Sequence, residues 1–178
     1  MACPVNEKTY TYKNITLPKV QNLTTNERNN IMIQVVDTLL NSGLSNMNET
    51  IAFGIAGNIK VESQFNYTAI NTKRGVAYGL CQWHDVRIEK LYDYCKTVNM
   101  SPNSIDGQLQ FLIHELRDVK QYNNAYKVIS SQEYRDDIDK IARYFCMNVE
   151  IPGEQYCRNR AENARQVSED YKHLKGQS

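Results

Sequence analysis

From Thr24 almost to the C-terminus, apolar residues return every three or four positions, and this period restricts the fold more than any other feature. Ile31, Val35, Val36, Leu39 and Leu40 form one stripe, and Ile51, Ile55 and Ile59 form the next. Ile88, Leu91, Tyr92 and Cys95 follow, then Leu109, Leu112, Ile113 and Leu116. Tyr134, Ile138, Ile141, Ala142, Phe145 and Val149 make a further stripe, and Cys157, Ala161, Ala164 and Tyr171 close the series. Such spacing places each set on one face of a helix. Punctuation agrees. Thr24-Thr25-Asn26-Glu27 and Ser130-Ser131-Gln132-Glu133 have the form of capping boxes, and Asn48 and Asp85 stand where N-caps are needed. Gly43 and Pro152-Gly153 are stops. A shorter helix is expected over Asn124–Ile129.

Two stretches lack the period. Residues 64–82 contain Gly75 and Gly79 and read as an irregular or β-hairpin segment. Residues 1–23, with Tyr10 and Tyr12 alternating with polar residues before Pro18, read as an extended N-terminal arm outside the core. The expected fold is therefore mainly α: a helical bundle over residues 24–178, forming a single domain, with a small irregular or β-hairpin insertion after the second helix. At 178 residues the chain can bury a real core.

Composition removes several functional classes. Lys and Arg number 21 against 20 Asp and Glu, a formal charge of +1, so no basic stripe points to nucleic acid. No apolar run approaches the ~20 residues that span a bilayer, and no secretory signal follows Met1. The five cysteines (Cys3, Cys81, Cys95, Cys146, Cys157) are odd in number and lack a Cys-x-x-Cys pair. That pattern argues against a structural metal and for folding in a reducing compartment; spacing alone does not pair Cys146 with Cys157. No cofactor motif is present.

Glu62 does not fit its face. At about 100° per residue it lies about 20° from the azimuths of Ile51 and Ile55, at the last turn of its helix. A carboxylate there loses hydration and meets the negative end of the helix dipole. Both favour the neutral acid, the species that must protonate a leaving oxygen when a glycosidic bond breaks. The competing reading is a glutamate held by Lys or Arg, or one that reaches solvent at the helix end.

The neighbouring residues resemble a known pair of motifs. Gly57-Asn58-Ile59-Lys60-Val61-Glu62-Ser63, then Phe65 and Ala69, then Ala77-Tyr78-Gly79-Leu80-Cys81-Gln82-Trp83 are similar to the Gly-Asn-x-x-x-Glu-Ser and Tyr-Gly-x-x-Gln-Trp elements of phage tail lysozymes. These belong to the lysozyme-like superfamily, with goose-type lysozymes and lytic transglycosylases. Gln108-Leu109-Gln110-Phe111-Leu112 with Glu115 resembles the group's central helix, and Glu150-Ile151-Pro152-Gly153 its Glu-x-Pro turn. The resemblance spans about residues 30–172.

It implies a muramidase that cleaves the β-1,4 bond between N-acetylmuramic acid and N-acetylglucosamine, with Glu62 as general acid. Its partners would be peptidoglycan glycan strands and other virion tail proteins. A phage tail made in the host cytoplasm and acting on the cell wall is the implied location. Gln82 is expected to bind a sugar or orient Glu62, or else to tie its loop to a helix. Gly79 is expected to admit a sugar close to the backbone, Tyr78 to face the groove, and Asn58 to line it or bond to backbone. Trp83 is expected in the core, and Ser63 as a brace at the helix end. Asp85 reads as a cap; Glu115 is expected to support Glu62 from behind or to pair with an arginine, and Glu150, before the Pro-Gly break, to support the site without touching substrate.

Without a second acting carboxylate, the 6-hydroxyl of muramic acid could attack, as in lytic transglycosylases. The chain lacks a clear Ala-Tyr-Asn element of those enzymes, which favours hydrolysis. Two rivals come from other classes: a thiol peptidase using Cys81 and His84, and a non-catalytic wall-binding virion module.

Overall fold

The computed structural model describes residues 8–151 and 154–176. Thr24 opens the first helix as its spacing predicts. Its hydroxyl accepts from the Glu27 amide at 3.2 Å, and the Glu27 carboxylate accepts from the Thr24 amide at 2.7 Å. Two backbone donors that a helix start leaves unpaired are thereby satisfied. Helix α1 (Thr25–Leu40) buries Ile31, Met32, Val35, Val36 and Leu39. Asn48 then caps α2 (Glu49–Ser63) by accepting from the Ile51 amide at 2.8 Å.

Every residue from Ile51 to Ile59 is buried, so α2 is apolar on all sides. A helix of that kind lies at the centre of a bundle. It packs most extensively on α7 (Arg160–Leu174) and α6 (Ile138–Phe145), and also on α1. Gly57 permits the closest approach: a Cβ there would stand 2.5 Å from Ala164 Cα. The remaining helices are α3 (Val86–Thr97), α4 (Ile105–Asp118) and α5 (Lys120–Ile129). The last begins four residues earlier than its expected start at Asn124.

After α2 the chain forms a small antiparallel sheet of β3 (Ile70–Asn71), β4 (Ala77–Tyr78) and β5 (Trp83–His84), with β4 central. This is the expected β insertion. Gln64 and Phe65, at φ 52° and 61°, turn the chain sharply out of α2 toward it. No helix among the described residues is long and apolar enough to cross a membrane.

Four expectations need correction. The N-terminal segment is not held apart from the core: β1 (Tyr10–Tyr12) and β2 (Ile15–Leu17) form a hairpin, and Leu17 is fully buried. The hairpin docks on α3 through Lys13 and Tyr12, which reach Glu89 at 2.6 and 3.3 Å. Ser130–Glu133 opens no helix; Ser130 instead ends α5 as its C-cap. The chain turns there, and the Asp137 carboxylate caps α6 on the Lys140 amide at 3.0 Å, nearer the first buried turn. Asp85 occupies the N-cap position of α3, but at φ 46° its side chain makes no capping bond.

Cys146 and Cys157 are joined in a disulfide, against the reduced state expected from the odd count. Their separation of 11 residues spans a turn that pattern alone could not close. Cys81 and Cys95 are free and buried; Cys3 and the Pro152-Gly153 stop lie outside the described residues.

Candidate active site

Glu62 emerges at the C-terminal turn of α2. Ser63 braces this turn by donating from Oγ to the Ile59 carbonyl at 3.2 Å. The Glu62 side chain keeps 19% of its surface exposed, while the cation beside it, Arg160 of α7, keeps 4%. Arg160 Nη2 donates to Glu62 Oε1 at 2.5 Å, and Nη1 donates to the Asn58 carbonyl at 3.1 Å. Of the two readings the helical wheel left open, the structure has the glutamate held by an arginine. The penalties of lost hydration and of the helix dipole are met by a guanidinium that lies 98 residues away in sequence. No motif in the sequence points to Arg160. Its only signal was an arginine at the first position of an otherwise apolar helix face.

Burial pushes up the carboxyl of Glu150. It ends a π-helical turn (Cys146–Glu150) that continues α6, just before Ile151 at φ 55°. Its Oε1 is sealed from solvent and has no hydrogen-bond partner among the described residues. Burial is the main cause that raises its pKa to about 8, and the charge of Glu62 adds to it. Arg87 and Arg160 pull the other way, and Glu115 contributes slightly upward. Glu150 and Glu62 therefore act on each other electrostatically across the junction of α2 with the turn before α7.

Behind them lies a satisfied ionic network. Arg87 grips Glu115 with two bonds, Nε to Oε1 at 3.0 Å and Nη2 to Oε2 at 2.8 Å. Trp83 Nε1 donates to the same Oε2 at 2.9 Å. Arg87 also donates to the Val149 carbonyl at 3.1 Å and lies 4.6 Å from the centre of the Tyr122 ring. The network thus ties the start of α3, the end of α4 and the turn carrying Glu150 into one unit. Trp83 is fully buried, in the core as expected. Glu115 takes the arginine partner that was one of its two expected roles.

The expected sugar-contacting residues are turned inward. Asn58 takes the backbone-bonding role among its alternatives: it is fully buried, and its Nδ2 donates to the Gly54 and Ala142 carbonyls, both at 2.9 Å, pinning α2 to α6. Tyr78 is also fully buried; its hydroxyl donates to Asn103 Oδ1 at 2.8 Å, so it does not face a groove. Gly79, at φ 80°, is needed for a different close approach from the one expected. A Cβ there would stand 2.7 Å from Gln108 Oε1. That oxygen accepts from the Leu80 amide at 2.9 Å, and Gln108 Nε2 donates to the Tyr67 and Pro102 carbonyls. Gln108 is thus a buried hub for the loop, missed as a key residue because only a folded loop supplies its partners. Gln82 donates from Nε2 to the Ala69 and Gly79 carbonyls, both at 3.0 Å. It takes the loop-tying role among its alternatives.

The structure therefore pairs Glu62 with Arg160 and joins Glu115 to Arg87 and Trp83, while Glu150 feels the charges of both carboxylates. Gln82, Gly79 and Tyr78 scaffold the adjoining loop. Within that loop Cys81 is buried and its thiol is pushed well up, chiefly by burial. A thiol peptidase built on Cys81 is thereby removed, because the thiolate is the nucleophile. Near the same junction, Arg74 donates to the Tyr156 hydroxyl at 3.1 Å, linking the β3–β4 loop to the turn before α7. Among the described residues, no group of three or more His, Cys, Asp or Glu side chains could hold a metal ion.

A family model described as phage tail lysozyme matches residues 30–171, from α1 to the end of α7. No match was found among curated proteins.

Proposed function

The chain belongs to the phage tail lysozyme family, and on that premise we propose that it hydrolyses the β-1,4 bond between N-acetylmuramic acid and N-acetylglucosamine with Glu62 as general acid. The family carries a peptidoglycan-degrading, lysozyme-like function and a phage association. The particular bond, a place in the virion tail and local wall penetration during infection belong to our reading. So do tail proteins as assembly partners.

The observation that supports it best is the setting of Glu62. The central helix is buried from Ile51 to Ile59, and at its end a carboxylate reaches solvent while braced by a buried arginine. A braced carboxyl at a rigid helix end is held in the fixed geometry that proton transfer requires. In the reaction Glu62 gives its proton to the glycosidic oxygen as the C1–O bond breaks. Water supplies the hydroxyl to the sugar cation and returns a proton to the site. Gln82 and Gln108 hold the Gly79 loop, and Trp83, Glu115 and Arg87 tie α3 to α4.

Glu62→Gln tests the assignment. Glutamine keeps an oxygen for Arg160 and has no proton to deliver, so the variant should fold normally and fail to clear a peptidoglycan suspension. Clearing at the wild-type rate by a folded Glu62→Gln protein would overturn the assignment, whereas a wild type that binds peptidoglycan without clearing it would favour a non-catalytic wall-binding module.

A further inference from the structure

Three arginines tie the elements of the site together, and two of them are committed to carboxylates. Arg160 holds Glu62, and Arg87 holds Glu115. The third, Arg74, has a tyrosine as its partner. Its Nη2 donates to the Tyr156 hydroxyl at 3.1 Å, and its guanidinium carbon lies 5.4 Å from the centre of the Tyr156 ring. Arg74 and Tyr156 are both exposed. A guanidinium carries five N–H donors and no acceptor, so one hydroxyl and one ring face leave most of its donors turned to solvent.

The chain fixes where this pair stands. Tyr156 precedes Arg160 by four residues, a span of at most about 14 Å, and Arg160 Nη2 reaches Glu62 Oε1 at 2.5 Å. Arg74 is in the loop between β3 and β4. Asn71 shapes that loop by accepting from the Lys73 amide at 3.0 Å, and Gly75 bends it at φ 90°. Lys73 beside Arg74, and Arg158 just past Tyr156, are exposed as well. Among the described residues, none of Lys73, Arg74 and Arg158 forms an ion pair. Asp85, whose carboxylate lies against Gly75, neutralises none of them. In a chain with a formal charge of +1, these cations make a local basic rim on two segments that the Arg74–Tyr156 bond joins.

We propose that this rim binds the ionised carboxylates of the peptide stems on muramic acid, with Arg74 as the main contact and Tyr156 holding it in place. Stem-bearing strands are then the preferred substrate. This role rests on the glycan hydrolysis proposed above. The bond to be cut starts at a muramic acid, the sugar that carries the stem, so the anion arrives together with the scissile bond. A guanidinium matches a carboxylate in plane and in donor spacing, which suits arginine to the task. Arg74 acts away from the reacting atoms: it sets affinity and specificity and leaves the chemical step unchanged.

The test measures initial rates of reducing-end release from purified strands freed of phosphate-bearing wall polymers. The strands are used before and after carbodiimide and ammonia convert their stem carboxylates to neutral amides. Wild type should lose roughly 3- to 10-fold in kcat/KM on the amidated strands, through KM with kcat unchanged. That preference should shrink as salt rises from about 0.05 to about 0.5 M. Arg74→Gln should be down by roughly 2- to 5-fold on native strands, and its amidation penalty should be smaller by the same factor. Lys127→Gln makes the same charge change on an exposed position of α5 and should behave as wild type.

Equal rates on both strands by wild type, an undiminished preference in Arg74→Gln, or a matching loss in Lys127→Gln overturns recognition by the rim and leaves the role of Glu62 standing. A loss in Arg74→Gln that falls on kcat with KM unchanged overturns it too, because Arg74 would then support the shape of the site. Absence of reducing ends from either strand with wild type overturns both readings.

Discussion

Replacing Glu150 with glutamine should make the protein more stable, and by an amount that depends on pH. The folded protein holds the Glu150 proton up to about pH 8, against an ordinary value of 4.5. Below 4.5 the carboxyl is neutral both folded and unfolded, so burial costs nothing in ionisation. Between 4.5 and 8 the unfolded chain releases the proton and the folded one keeps it. The native state then binds more protons than the unfolded state, and stability falls as pH rises. Each pH unit in that window costs about 1.4 kcal/mol. The loss is about 3 kcal/mol by pH 7 and on the order of 4–5 kcal/mol above pH 8.

Glutamine is neutral throughout and escapes this cost. Urea unfolding of wild type and Glu150→Gln at several pH values gives the difference curve, in which titrating groups that do not interact with Glu150 cancel. The curve should be flat below about pH 4.5, climb in favour of the variant through pH 7, and level off above pH 8. Any constant packing difference between Gln and protonated Glu shifts the whole curve without changing its slope. Parallel stability profiles for the two proteins would refute the reasoning, because they would mean that Glu150 ionises alike in both states.

Other perturbations have separate readouts. Arg160→Met strands the Glu62 carboxylate and frees the Asn58 carbonyl; breaking a fully buried pair costs ~3–5 kcal/mol, and the partial exposure of Glu62 reduces this to about 2–3 kcal/mol, read as a lower urea midpoint at unchanged slope. Gly79→Ala puts a Cβ in a left-handed position against the fully engaged Gln108 amide. It should cost about 3 kcal/mol and about 6–12 °C in Tm by calorimetry. Cys157→Ser opens the disulfide to Cys146 and should cost about 2–4 kcal/mol. Reductant should lower the Tm of wild type similarly and leave that of the variant unchanged.

The elements legible in the sequence are those that local chemistry decides. The Thr24–Glu27 box and the Asn48 cap each need only the next three residues, and both form as read. The apolar stripes predict the helices because burial follows the 3.6-residue period. Where two capping signals compete within a few residues, the local rule does not choose. Ser130 lost to Asp137 because the tertiary turn at 131–136 delays the helix start. Glu62 was legible as a misfit on an apolar face, but its partner was not. Arg160 arrives from another helix, and no spacing rule connects residues 98 positions apart.

The same limit explains the inward-facing loop. Gly79 and Tyr78 were read as groove residues, and Gln82 as either a site residue or a loop tie, because a motif gives residue types and leaves direction unstated. Direction is set by Gln108 and Asn103, which satisfy that loop from below. The raised carboxyl of Glu150 was not legible either, because its burial depends on how the turn after α6 folds against Arg87 of α3.

The central claim is glycan hydrolysis with Glu62 as its acid, and mass spectrometry of the products released from peptidoglycan tests it most directly. Wild type should release muropeptides with reducing N-acetylmuramic acid ends, and folded Glu62→Gln should release none. Peptide-bond products, 1,6-anhydro-muramic ends, or the same reducing ends from Glu62→Gln would contradict the account.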